Sequence, residues 1–238
     1  MFPVLASAAD ITSVPAVAST DATPWAATVS AGFLAVRGNT NSTSLNFKGA
    51  LGHHIGNWNN VLQGQANYAK DNSQTSAQSW QVGDQLRYNF NEKDYGFATL
   101  NYLRDRFAGI EERMSEAVGY GRRIINTPAQ SLDLGIGAGA NQQRVAGSNT
   151  LENEPIAVFN GAYVWAISSS AQFSQLVHVE AGSNNTYVNP ITSIKLTIVG
   201  HLFATISYEL RYNTTVPAGT YHSDSITTIN LGYDFGKF

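Results

Sequence analysis

The sequence predicts an all-β chain, a transmembrane antiparallel up-and-down β-barrel of about 12 strands. Three observations carry this reading. Apolar and polar residues alternate with a period of two along almost the whole chain after Trp25, which puts successive side chains on opposite faces of a strand. Only 13 % of the 238 residues are charged while 43 % are hydrophobic, a charged share about half the usual ~25 % and poor material for a water-facing surface. No window reaches the roughly 18 consecutive apolar residues of a spanning helix, so apolar surface on this scale must be carried by strands.

The first residues stand apart. Phe2–Ala9 is apolar but short, and Ala6-Ser7-Ala8 resembles the small-residue end of a signal segment; a disordered leader is the other reading. Asp10–Pro24 is rich in Ala, Ser, Thr, Val and Pro without a period, so residues 1–24 read as a flexible N-terminal segment and 25–238 as the barrel.

Turn signals cut the rest into segments at about 25–37, 42–55, 59–71, 79–90, 95–106, 112–125, 131–144, 154–167, 171–182, 186–199, 201–213 and 223–235. Each is near the roughly 9–11 residues that cross a bilayer at a tilt, with short overhangs. The first two are divided by polar Gly38–Asn41, the second and third by tight Gly56-Asn57-Trp58-Asn59, and the third and fourth by Asn72–Gln78. In the fourth, Trp80, Val82, Asp84, Leu86 and Tyr88 share a face; tight Asn91-Glu92-Lys93-Asp94 leads to the fifth. Ala108–Glu111 precedes the sixth, where Met114, Glu116, Val118 and Tyr120 align. Tight Asn126-Thr127-Pro128-Ala129 opens the seventh, in which Leu132, Leu134, Ile136, Ala138 and Ala140 oppose Asp133, Gly135, Gly137, Gly139 and Asn141. Ala146–Glu154, Ser168-Ser169-Ser170 and Ser183–Asn185 separate the next three; in the tenth, Ile194, Leu196 and Ile198 oppose Ser193, Lys195 and Thr197. Gly200-His201 leads to the eleventh, where Leu202, Ala204, Ile206, Tyr208, Leu210 and Tyr212 oppose Thr205, Ser207, Glu209 and Arg211. Thr214–His222 leads to the last, with Ile229, Leu231, Tyr233 and Phe235 against Thr228, Asn230, Gly232 and Asp234.

Tight turns thus alternate with longer polar loops, as at the periplasmic and external ends of an outer-membrane barrel, and an even strand count sends both termini to the periplasmic side. The non-apolar face is mostly Gly, Ser, Thr, Asn and Gln, which suits a lumen better than a soluble surface. Trp25, Trp80, Phe90, Tyr102, Phe107, Tyr163, Trp165, Tyr187, Tyr212, Tyr233 and Phe235 fall near segment ends, at headgroup depth. Asp84 and Glu116 fall on the lipid face; Glu116 reads as near the outer rim, where the cost of an acid shrinks, while for mid-strand Asp84 a bulge that switches its face and a protein contact on the lipid side are the two explanations.

The run Arg104-Asp105-Arg106-Phe107-Ala108-Gly109-Ile110 resembles the central signature of the YdiY-like family, salt-induced outer-membrane proteins also called domain of unknown function 481. Arg37-Gly38-Asn39-Thr40-Asn41-Ser42-Thr43-Ser44-Leu45 is similar to that family's opening hairpin. Ser207-Tyr208-Glu209-Leu210-Arg211-Tyr212 with Val216-Pro217-Ala218-Gly219 resembles its penultimate strand and loop. The resemblance implies an integral outer-membrane barrel of a Gram-negative envelope, inserted by the barrel-assembly machinery, with no enzyme activity or ligand attached to the family. The family typically stops at an aromatic such as Phe235, and Gly236-Lys237-Phe238 extends this chain past it.

The candidate lumen-lining residues are Lys48, Arg87, Arg113, Arg123, Asp133, His178, Glu180, Lys195, Glu209, Arg211 and Asp234. Desolvated charges there must find partners, so they either hold the lumen together or filter small polar solutes. Inward Gly135, Gly137 and Gly139 leave space on this reading. Arg104, Asp105 and Arg106 form a candidate rim network anchoring the third outer loop. No catalytic, metal or cofactor site is predicted: His178 and Glu180 need a third converging group, and alternation separates His53 from His54. The slightly acidic balance, net charge −3, offers no field for nucleic acid. The expected surroundings are outer-membrane lipid and small polar solutes. A closed envelope barrel acting through its loops or a partner is the alternative, and a lipid-modifying enzyme a remote one.

Overall fold

A computed structural model describes residues 24–36, 42–71, 74–105, 110–145, 151–216 and 221–235. Its twelve strands are β1 (Trp25–Val36), β2 (Ser42–Ile55), β3 (Trp58–Asp71), β4 (Gln74–Asn89), β5 (Asp94–Asp105), β6 (Ile110–Asn126), β7 (Gln130–Val145), β8 (Glu152–Ala166), β9 (Ala171–Gly182), β10 (Thr186–Val199), β11 (Leu202–Asn213) and β12 (Ser223–Phe235). Each pairs antiparallel with the next, and β1 pairs with β12 from Ala27↔Phe235 to Ala31↔Leu231, so the sheet closes and no edge remains. The chain enters β1 and leaves β12 at one end of the cylinder, called here the terminal rim; the opposite end is the loop rim.

The largest departure from the expected boundaries is at β4, which starts at Gln74 and not near residue 79. Gln74–Gln78 carries no apolar residue larger than Ala77 and so reads as loop, yet Lys70↔Thr75 and Asp71↔Gln74 continue the ladder. Beyond the apolar belt neither face needs to be apolar, and alternation loses its signal while backbone pairing persists.

The two-residue turns at the terminal rim are set by glycine. Gly56 joins Ile55↔Trp58 and Gly200 joins Val199↔Leu202, both with φ of 56°, the left-handed conformation that a two-residue hairpin requires. Gly56→Ala and Gly200→Ala should each lower stability by about 1–2 kcal/mol, read as a shift in the urea midpoint of the folded barrel in detergent.

The apolar face points out. Phe33, Val118, Ile136 and Ile229 are each about two-thirds exposed, which water would not tolerate over a continuous belt and a bilayer core favours. Aromatic pairs mark the belt's margins: Trp58 with Tyr88 at 4.7 Å toward the terminal rim, and Trp80 with Tyr102 at 5.0 Å toward the loop rim. Tyr187 does not belong to them, since alternation along β10 turns it inward, where it is buried. Phe107 lies outside the described residues.

Asp84 stays on the outer face. The β3–β4 register shifts only at Ala69/Lys70 and the β4–β5 register runs unbroken. No bulge turns Asp84 inward, and Asn60, also outward, donates to its Oδ1 at 2.9 Å. Glu116 faces outward as well and is exposed.

Candidate functional site

The interior is where the strands bring together chemistry that is distant in sequence. Polar inner-face residues from all twelve strands are buried, so the lumen is filled by side chains and not left as a wide passage. Its contents form layers.

Toward the terminal rim, Asp133 on β7 accepts from Arg87 on β4 at 2.9 Å and from Arg123 on β6 at 3.0 Å. On the other side Lys195 on β10 meets Asp234 on β12 at 2.6 Å. Both cations also rest on rings, Arg87 3.4 Å above Tyr95 and Lys195 4.0 Å from the centre of Phe203. A cation over a desolvated aromatic face gains about 2 kcal/mol, part of what its removal from water costs.

The glycines do not leave space here. Phe97 lies level with Gly119 and Gly137 across β5, β6 and β7, and Tyr95 level with Gly121 and Gly135. A Cβ added at Gly119 or Gly121 would strike those rings, and one at Gly135 would stand 3.1 Å from Phe97. The glycines form a notch in the wall, and the aromatic rings of β5 fill it. The interior volume suggested by the small residues is therefore occupied by their neighbours.

A neutral layer follows: Ala162, Leu176 and Ile191 cluster, with Leu176 and Ile191 each only 1 % exposed. Beside them the Ser193 hydroxyl donates to Ser207 at 3.0 Å.

The second charged layer lies toward the loop rim. Arg113 on β6 pairs with Glu180 on β9, His178 Nε2 stands 3.1 Å from the same carboxylate, and His178 Nδ1 is 2.6 Å from Asn160 Oδ1. Tyr187 stacks 4.5 Å from the Arg113 guanidinium. A cavity of about 20 Å³ among these groups, bounded also by Gln81 and Asn101, is the size of a single water. Nearby, Arg211 on β11 donates to Glu209 at 2.5 Å and, across the barrel, to Asp105 on β5 at 3.2 Å. Five strands lie between β5 and β11 either way round the wall, so this ion pair spans the diameter. Gln65 on β3 and Asn189 on β10 each reach Glu209 at 3.4 Å.

All eleven candidate lumen residues lie on inner-face positions, and ten of them fall into these clusters; Lys48, half-buried, stands near Glu209. The rim trio is divided. Alternation along β5 sends Asp105 inward to Arg211 and Arg104 outward beside Trp80, so the two cannot share one network; Arg106 lies outside the described residues. His53 turns out and stacks on Trp25 at 4.0 Å, while His54 turns in and meets Asn59 at 2.7 Å. Sequence reasoning missed Tyr95, Phe97, Tyr187, Phe203, Asn160 and Gln65. Parity along each strand marks all six as inward; their aromatic or neutral character drew attention away.

A family model described as protein of unknown function, DUF481, matches residues 29–235. The chain is 32 % identical over 214 residues to the uncharacterized protein YdiY of Escherichia coli strain K12, covering 88 % of this chain and 83 % of that one. Among solved structures it resembles the NanC porin, with a TM-score of 0.52 at 10 % identity, covering 89 % of this chain and 99 % of that one. The translocator domain of the autotransporter NalP from Neisseria meningitidis gives a TM-score of 0.47 at 13 % identity, over 89 % of this chain and 87 % of that one.

Proposed function

The chain belongs to the DUF481 family of proteins of unknown function, and on that premise we propose that it is an outer-membrane channel for small polar solutes, closed at rest by ion pairs across its lumen, with the termini in the periplasm. The observation that carries this reading is the contact of Arg211 with Asp105 across the diameter at 3.2 Å. A barrel that needs only to be plugged is filled more cheaply by apolar side chains, because a desolvated ion pair is often no more stabilising than well-packed hydrophobes of its volume. Charged groups joined across a lumen are worth their cost where the contact has to open. Within the charged layers six cations (Lys48, Arg87, Arg113, Arg123, Lys195, Arg211) face five carboxylates (Asp105, Asp133, Glu180, Glu209, Asp234), and Glu154 and Asp224 also lie on inner-face positions nearer the loop rim, a near balance that suits weakly charged solutes over strong selection for one ion sign. The NanC porin carries that name on a similar wall, which speaks to the scaffold alone.

Planar-bilayer conductance tests the reading. Asp105→Asn removes the far half of the latch and leaves Arg211 on Glu209. The native protein is expected to show rare brief openings, and the variant frequent or sustained ones of the same unit size. Silence from both, at every voltage and salt tried, would overturn the channel.

The neutral layer around Leu176 and Ile191 favours a second reading, a permanently closed envelope barrel acting through its loop rim or a partner. It predicts that silence.

A further inference from the structure

The outer wall carries two carboxylates where a lipid-facing surface should carry none. Asp84 lies opposite Leu100, and Leu100 opposite Glu116, so the two acids occupy one row across β4, β5 and β6, about 10 Å apart at the usual strand spacing. Both sit mid-belt. Asp84 is four residues from Tyr88 on one side and four from Trp80 on the other, about 10 Å of depth each way. Glu116 is likewise four residues from Tyr120, which hydrogen-bonds Asp94 at the terminal rim, and four from Glu112, paired to Arg144 at 2.9 Å at the loop rim. Neither acid can reach a headgroup through its short side chain as a lysine could.

The wall beside them is hollow. Gly49 and Gly64, opposite one another and both outward, line an open groove of about 800 Å³ together with Phe47, Trp80, Val82 and Tyr233. On β4 the lining of this groove ends at Val82, the outward residue before Asp84.

We infer that this face docks a membrane-embedded segment of another protein that presents lysine or arginine at mid-bilayer depth. Charge decides the occupant. Among the described residues Asp84 is met only by Asn60, and Glu116 by none. A second copy of this chain cannot neutralise them: its described outward cations are Lys70, Arg104 and Arg144 toward the loop rim and Arg122 toward the terminal rim. A two-fold axis along the bilayer normal keeps every residue at its own depth and would set acid against acid. Lipid tails offer no cation, and an ionisable group inside a membrane ordinarily has a partner. The inference rests on the membrane-spanning reading of the barrel but is independent of conduction.

The test is photo-crosslinking in intact cells, with a benzophenone amino acid replacing Val118, the outward residue beyond Glu116. An adduct is expected whose crosslinked peptide comes from a membrane-embedded segment containing lysine or arginine. In the double variant Asp84→Asn, Glu116→Gln it should fall at least tenfold, while heat-modifiable migration of the barrel from the membrane fraction is unchanged. Adducts only to lipopolysaccharide or phospholipid, to a second copy, or to a segment without a basic residue would overturn the inference. So would an adduct indifferent to the double substitution. A double variant absent from the membrane would indict insertion; Asp84→Asn and Glu116→Gln singly, each retaining one acid, then supply the comparison, and equal adduct in both and in the native protein overturns the docking face.

Discussion

Arg113→Met is expected to destabilise the folded barrel by about 3–5 kcal/mol, the usual consequence of stranding one half of a buried ion pair. Both side chains are only 5 % exposed. Glu180 keeps His178 at 3.1 Å after the substitution, but it loses the guanidinium, and Tyr187 loses the cation on its ring. The wall cannot relax to admit water readily, because Glu180 is anchored mid-ladder with Tyr187 directly opposite on β10. The companion variant is Arg113→Met, Glu180→Leu, which removes both charges and keeps volume. It should recover most of the loss, since a buried pair replaced by hydrophobes is often neutral in cost. Urea unfolding in detergent micelles, followed by tryptophan fluorescence, measures both. A single variant within about 1 kcal/mol of the native protein would mean that the carboxylate is solvated and the interior is wetter than the side-chain burial implies.

The architecture was legible because a closed barrel imposes one rule on every residue. Alternation is enforced wherever one face meets lipid and the other does not, so the parity of Ile229, Leu231 and Tyr233 against Asn230, Gly232 and Asp234 identifies both the strand and its inner face. The rule weakens where its cause does. At Gln74–Gln78 the chain has left the apolar belt, and the strand continues on backbone pairing alone. At Asp84 the expectation of a bulge came from the cost of an acid in lipid; an unbroken register shows that the chain carries that cost.

The inner contacts were less legible, for a different reason. Parity says that Arg211 and Asp105 both point inward but not that they meet, because β5 and β11 are brought together only by the closure and cross-section of the whole barrel. The same holds for Gln65 and Glu209, 144 positions apart. Nor does parity give volume: an inward glycine looks like free space until the neighbouring strand is known to carry a ring at the same level.

That last point yields the second large effect. Phe97→Ala should cost about 3–5 kcal/mol, because the ring is buried against glycine backbone that cannot collapse inward to replace it. Gly119→Leu attacks the same contact from the other side: Phe97 and the Ile136 carbonyl occupy the volume that its new Cβ requires. The cost should be of similar size, through overpacking, typically about 1–3 kcal/mol and more where backbone is struck. If ring and notch form one packing unit, Phe97→Ala, Gly119→Leu will be more stable than the sum of the single losses by at least about 1 kcal/mol. Recovery will be incomplete because the Ile136 carbonyl remains. Urea midpoints of the four proteins give the coupling directly, and strict additivity would show that the ring does not depend on the glycines. Bilayer recordings of Phe97→Ala separate packing from gating. The ring lies toward the terminal rim, away from the Arg211 and Asp105 contact, so its loss should leave the fraction of time open unchanged while raising the current through each opening.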